Sequence, residues 1–231
     1  MKRKHPSCNL SDCILCRLCL PDWIPAVELN RKVILLRKGQ QAFTEGDVVK
    51  GIYFIYSGVM KVHQRWDQEK ELIVRFARRG DMVGHLGLGK EARYPVSATA
   101  LEPTSVCYLE MPFFESTLKV NPELTYALMR FLANDLQEAH RAMRNLAHMP
   151  VKPRIAQALL TLKNQFGTNE AGFLDFAITR QDIASFAGTT YETLFKVLNE
   201  LNAGGLIQLD GRDIAIRDEV GLATIVDPGD R

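Results

Sequence analysis

No stretch of this sequence approaches the roughly 18 consecutive apolar residues that a membrane-spanning helix needs, so an integral helical membrane protein is not expected. Nor does it carry a large charge of either sign. Against 29 Lys and Arg stand 27 Asp and Glu, a net of +2, which excludes a strongly basic nucleic-acid coat. Histidine is scarce: His5, His63, His85, His140 and His148 are scattered. No nucleophile–base pair is legible among them, so the chain is not expected to be an enzyme. The first residues, Met1-Lys2-Arg3-Lys4-His5-Pro6-Ser7-Cys8, are basic but lead into polar residues and cysteine, not into an apolar signal core, which points to a cytoplasmic protein. What is present, 231 residues at 46% hydrophobic and 24% charged, suits two modest globular domains.

The cysteines are few but unevenly placed. Cys8, Cys13, Cys16 and Cys19 crowd one short stretch, and Cys107 lies far away. In a reducing compartment such a cluster binds metal or senses redox more often than it forms structural disulfides. Cys13-x2-Cys16-x2-Cys19 lets three thiolates converge from one tight loop, the spacing that begins the bacterial iron–sulfur run. The Cys-Pro that completes that run is missing, because position 23 is Trp. A fourth ligand then comes from Cys8 or Cys107. C-x2-C also suits a structural zinc tetrathiolate or a dithiol switch, and Cys107 alone, in Ser105-Val106-Cys107-Tyr108-Leu109, reads as a core cysteine.

From about Val33 to Met111 the chain reads as short strands with glycine turns at 8–12 residue spacing, as in a small barrel or double-sheet roll. After Pro122 the period changes. Leu132, Leu136, Ala139, Met143 and Leu146 are spaced as the apolar seam of one long helix, narrow enough to favour a helix–helix partner. Pro150 and Pro153 mark a boundary. Beyond it come a helix from Ile155 to Phe166, a short helix from Ile183 stopped by Gly188, and a third opened by Thr189-Thr190-Tyr191-Glu192. A hairpin turning at Asp210-Gly211 follows, completing a winged helix-turn-helix.

In such a motif the N-terminal residues of the second helix face base edges in the major groove. Here they are Thr190, Tyr191, Glu192, Phe195 and Lys196, with Arg180 at the start of the preceding helix. Glutamate accepts from cytosine N4 and lysine donates to guanine O6 and N7. The bland reading competes: Thr189-x-x-Glu192 is a capping box and Glu192 with Lys196 is an ordinary i,i+4 pair. Bulk charge does not help, since residues 150–231 hold 8 Lys and Arg against 11 Asp and Glu.

Taken in order, several stretches resemble the CRP/FNR family of bacterial transcription regulators over nearly the whole chain. They are Arg37-Lys38-Gly39-Gln40 through Glu45-Gly46-Asp47, Ile52 through Val62, Gly80-Asp81-Met82-Val83-Gly84, and Thr179-Arg180-Gln181-Asp182-Ile183-Ala184 through Tyr191-Glu192-Thr193-Leu194. The resemblance implies an α+β chain: an N-terminal double-sheet β-roll like a cyclic-nucleotide-binding domain, a long dimerisation helix and a C-terminal winged helix-turn-helix. The corresponding divisions are a cysteine-rich segment 1–22, a sensor roll 23–120, a helix 121–149 and a DNA-binding domain 150–231. It further implies a homodimer on a palindromic double-stranded DNA site, with RNA polymerase as a partner.

Two branches of that family compete. The cyclic-nucleotide branch holds ribose and phosphate with Gly-Glu-Leu and Arg-Ser-Ala. Here Gly84-His85-Leu86 and Val96-Ser97-Ala98 lack both the carboxylate and the guanidinium, so a buried phosphate would face valine without its charged partner. The iron–sulfur branch holds a [4Fe-4S] cluster with three N-terminal cysteines and one from the roll. Leu18-Cys19-Leu20-Pro21 and Ser105-Val106-Cys107 resemble its ligand segments, which assigns Cys13, Cys16, Cys19 and Cys107 as ligands with Cys8 as a substitute. That branch spaces its N-terminal ligands C-x2-C-x5-C, and Cys13 to Cys19 preserves the longer gap, so Cys8, Cys13 and Cys19 form an alternative set. A regulator responding to another effector in the roll, its cysteines holding zinc or acting as a thiol switch, is the rival expectation.

The recognition helix departs from the family as well. Lys196 stands where the family has arginine, and Phe195 replaces a small polar residue and could touch a thymine methyl group. The half-site is therefore expected to be similar to the family's TTGAT or TTGAC without matching it. Ala139 aligns with an aspartate of the oxygen-sensing branch. Removing carboxylates that would face each other across the two-fold axis predicts a dimer even without cluster.

Overall fold

The computed structural model describes residues 13–67, 70–175 and 178–227. The chain divides into two compact units, one of residues 1–65 with 74–138 and one of 66–73 with 139–231.

The first unit is built on two four-stranded antiparallel sheets. Strands β1 (Lys32–Leu36), β2 (Gln41–Phe43), β3 (Gly51–Ser57), β4 (Met60–Arg65), β5 (Glu71–Ala77), β6 (Met82–Val83), β7 (Ser97–Ala100) and β8 (Thr104–Glu110) are divided between the sheets. One runs β1-β8-β3-β6 and the other β2-β7-β4-β5. Central β3 is apolar without alternation, Ile52-Tyr53-Phe54-Ile55, because both of its faces are covered. One face meets the roll interior, where Phe43 and Tyr94 stack at 4.0 Å beside Tyr53 and Tyr108. Val96 is buried in that same interior.

Phe54 and Ile52 point the other way, toward the helices. Ahead of the roll lie α1 (Ile14–Leu18), a single 3-10 turn at Pro21–Trp23 and α2 (Ile24–Asn30). Behind it come α3 (Met111–Val120) and α4 (Pro122–His148), whose 27 residues make a rod about 40 Å long. Pro112 sits in the first turn of α3, where its missing N–H costs nothing.

The second unit holds α5 (Val151–Phe166), α6 (Arg180–Ala187), α7 (Tyr191–Ala203), a two-stranded wing β9 (Ile207–Asp210) and β10 (Asp213–Ile216), and α8 (Glu219–Val226). Its core is Ile155, Leu159, Leu162, Ile183, Leu194, Leu198, Leu201 and Leu222, all fully buried or nearly so. The turn between α6 and α7 requires glycine. Gly188 takes φ +63, and a Cβ there would stand 2.3 Å from the Leu146 side chain.

Two local expectations shift by one residue. The cap of α7 is Thr190, which accepts from the Thr193 N–H, so Thr189 and Glu192 do not form a capping box. The box is instead at α6, between Thr179 and Asp182. In the wing, Asp210 pairs with Asp213, which makes Gly211-Arg212 the two-residue turn, with Gly211 at φ +54.

Candidate cysteine site and nucleic-acid interface

Helix α1 exists to space three thiols. Cys13 and Cys19 are its two end caps and Cys16 lies between them, three residues from each. Cys107 sits mid-strand on β8, in register with Phe54 of β3 and Val33 of β1. Cys13, Cys19 and Cys107 are buried and Cys16 is half-buried, all in one apolar cluster with Leu15, Phe54, Phe114, Leu124 and Leu128. Burial pushes the Cys19 thiol above its ordinary value. Cys8 lies outside the described residues. Among the described residues, no group of three or more His, Cys, Asp or Glu side chains stands together as it would around a single ion. The donor chemistry fits a group held by thiolates, because four sulfurs from two distant segments share one dry cluster.

That cluster also contains the long helix. Leu124 and Leu128 of α4 are among its buried members, and Phe131 and Leu132 pack at its margin. Leu132, expected in the dimer seam, thus lies half-buried against the cysteine core. A polar clasp reinforces the contact. The Leu20 N–H, one residue beyond Cys19, donates to Asn121 Oδ1 at 2.7 Å. Trp23 Nε1 donates to Thr117 Oγ1 at 3.1 Å, and its ring stacks on Phe113. Asn121 in turn donates to the Thr117 carbonyl and accepts from the Thr125 N–H in the first turn of α4. Pattern reading missed this clasp. An Asn before Pro122 reads as a helix boundary and nothing in the sequence pairs it with residue 20.

A second junction joins the roll to α4 through charge. His85 is buried with Nε2 3.2 Å from Asp135 Oδ2. The proton therefore sits on Nε2. The His85 ring meets Phe131 edge-on, and the Arg75 guanidinium lies over the same Phe131 ring at 5.7 Å while donating to the Met82 carbonyl. The hydrogen bond from His85, with the charges of His85 and Arg75 behind it, holds the Asp135 carboxyl below its ordinary value despite burial. Burial lowers Arg75, opposed by Asp135 and Asp81. These three residues lie in separate elements and carry no motif, so only the fold reveals them.

Helix α7 turns Leu194, Val197, Leu198 and Leu201 inward. Thr190, Tyr191, Glu192, Phe195 and Lys196 are all exposed. A backbone N–H of its own residue and the Thr190 hydroxyl hold the Glu192 carboxyl below its ordinary range, keeping it an acceptor. Arg180 is committed within the domain: Nη2 donates to the Gly211 carbonyl at 2.6 Å, tying α6 to the wing turn. On α4, Leu136 and Met143 are 57% and 63% exposed, and Ala139 and Leu146 are exposed beside them. Met129, seven residues before Leu136, is exposed too and extends the same seam by one heptad.

A β-roll followed by a long helix and a winged helix-turn-helix with an open recognition face defines a DNA-binding transcription regulator, not an enzyme. Residues 33–121 match the cyclic nucleotide-binding domain and residues 153–225 the Crp-like helix-turn-helix domain. The chain is 29% identical to the transcriptional activator protein anr of Pseudomonas aeruginosa, across 96% of this chain and 94% of that one. It is 27% identical to the fumarate and nitrate reduction regulatory protein of Salmonella typhimurium, across 94% and 90%. Its fold is similar to that of FixK2 from Bradyrhizobium japonicum, with a TM-score of 0.75 at 22% identity over 84% of this chain and 96% of that one. The chain belongs to the CRP/FNR family of transcription regulators, and its named relatives are activators of the FNR type.

Proposed function

We propose that this protein is a cytoplasmic, homodimeric transcription regulator whose DNA affinity is set by a [4Fe-4S] cluster sensitive to oxygen or nitric oxide. The ligands are Cys13, Cys16, Cys19 and Cys107, with Cys8 as the substitute, and RNA polymerase is the partner at the promoter. One observation carries the reading: thiols from the N-terminal segment and from β8 share a buried cluster with the first half of the long helix. Bound there, the cluster supplies a gas-labile iron–sulfide core.

The chain's own residues do the rest. The Cys19 thiol, raised by burial, gives up its proton on ligation. While Cys13 and Cys19 are held against Cys107, Leu20 and Trp23 stay docked on Asn121 and Thr117 at the α3–α4 corner. Releasing the thiolates frees the segment that carries this clasp, and α3 with its corner into α4 loses two hydrogen bonds and one stacked ring. The shift in DNA affinity is bounded by the difference in cluster binding between the two settings of α4. A nucleotide in the roll is the weaker reading, because Val96 and the stacked Phe43 and Tyr94 fill the interior and His85 is engaged by Asp135.

The test is a visible spectrum of anaerobically purified protein, with iron, sulfide and zinc assays, before and after air. About four iron per chain with a broad visible band that bleaches in air is expected. A colourless protein holding one zinc would overturn the reading.

A further inference from the structure

Two side chains of the recognition face present aromatic rings rather than charged groups. Tyr191 and Phe195 are 42% and 46% exposed, side by side on α7, with ring centroids 6.5 Å apart and planes within 19° of parallel. The core of the domain is made from the adjoining flank of the helix, by Leu194, Val197, Leu198 and Leu201, which leaves the two rings at the edge of the buried stripe. A half-open stacked aromatic pair in the first turn and a half of a recognition helix is apolar surface left for a partner. Phenylalanine can neither donate nor accept a hydrogen bond. The apolar landmark of the major groove is the C5-methyl group of thymine, and Phe is among the side chains that contact it. The spacing agrees as well: two base steps advance about 6.8 Å, close to the 6.5 Å between the rings.

We propose that Tyr191 and Phe195 form one methyl-reading surface that closes on two thymine C5-methyl groups within a two-step stretch of each half-site. Glu192 and Lys196, exposed together along the flank of the helix next to the pair, supply the polar contacts that set its register. The proposal rests on α7 entering the major groove, and the experiment separates the two.

The probe is a duplex selected by the full-length anaerobic protein from a random pool, then resynthesised with uracil in place of single half-site thymines. Uracil pairs as thymine does and lacks only the methyl group. Two nearby positions should each weaken binding about fourfold, the worth of burying one methyl group, and about fifteenfold together. Phe195→Ser should abolish the thymine preference at one position and Tyr191→Ser at the other. Phe195→Leu, which keeps an apolar tip, should retain most of the preference at the first. Thymine and uracil duplexes bound equally well by the native protein, with selectivity over scrambled DNA intact, would overturn methyl reading and leave groove reading standing. An unchanged thymine preference in both serine variants would also overturn it. Failure to prefer any duplex over scrambled DNA would remove both.

Discussion

Cys107 is the residue on which the sensor reading turns, because apart from the family resemblance of Ser105-Val106-Cys107 its surroundings in sequence suggest no ligand. It sits in an apolar strand and reads as core, and only the fold brings it into the cluster of Cys13 and Cys19. Cys107→Ser should therefore reduce bound iron to well under half, measured per chain after anaerobic purification, while Cys107→Ala controls for the cost of a buried hydroxyl. Cys8→Ser should be tolerated and Cys16→Ser should lower bound iron; iron retained at native levels in Cys16→Ser and Cys107→Ser would refute the ligand set. Asp135 makes a separate prediction. Its carboxyl is held low mainly by the His85 hydrogen bond. A depressed carboxylate contributes stability that is full above its unfolded value of about 3.9 and is lost as pH falls through the folded value. Asp135→Asn should cost about 1–2 kcal/mol at pH 7, reduced by its partial exposure. In melts taken at falling pH the native and variant proteins should converge once the pH drops below the depressed folded value, and a gap that widens toward acid would contradict the assignment. No periodicity could have paired His85 with Asp135, since the two lie 50 positions apart.

Elements were far more legible than their junctions. Strand β3, the α4 seam and the α6–Gly188–α7 turn follow from apolar runs, heptad spacing and one left-handed glycine. The differences lie at element ends: α5 opens at Val151, four residues before Ile155 and with Pro153 in its first turn, α6 opens at Arg180, three before Ile183, and single-residue shifts fall at the cap of α7 and the turn of the wing. There Thr189 and Thr190 are chemically interchangeable, and Asp-Gly and Gly-Arg compete for the same bend. The helices before the roll, α1 and α2, were not read at all. They are five and seven residues long, too short for a period to emerge. Yet this is where the cysteine segment meets the long helix. Asn121 is 1% exposed, and its side chain makes two bonds, accepting from the Leu20 N–H and donating to the Thr117 carbonyl. Asn121→Ala should keep its iron, since no ligand is touched, but lose most of the difference in DNA affinity between loaded and air-treated protein. Measured binding isotherms in the two states check this; a native-sized difference would show that the clasp does not carry the coupling. Some destabilisation, about 2–3 kcal/mol from the orphaned Leu20 N–H and Thr117 carbonyl, is expected alongside.

The proposed dimer rests on the exposed stripe of α4. Met129, Leu136 and Met143 recur every seven residues and stand open to water. In an isologous pair each meets its own copy across the axis. Leu136→Glu would set two carboxylates against each other and should give monomers by sedimentation at micromolar protein, whereas the native chain should remain dimeric even without cluster, Ala139 offering no opposing charge. Native apo-protein sedimenting as monomer would refute that, and would return assembly itself to the cluster's control. The whole account joins a thiol cluster, a helix and a DNA-reading face into one response. Its most direct test is a single sample of anaerobic protein whose affinity for its selected duplex is measured as air is admitted in steps, with the visible spectrum recorded alongside. Affinity falling at least tenfold in proportion to the bleached fraction, about 1.4 kcal/mol of coupling, is the predicted result. A chromophore that bleaches completely while DNA affinity stays constant would contradict it.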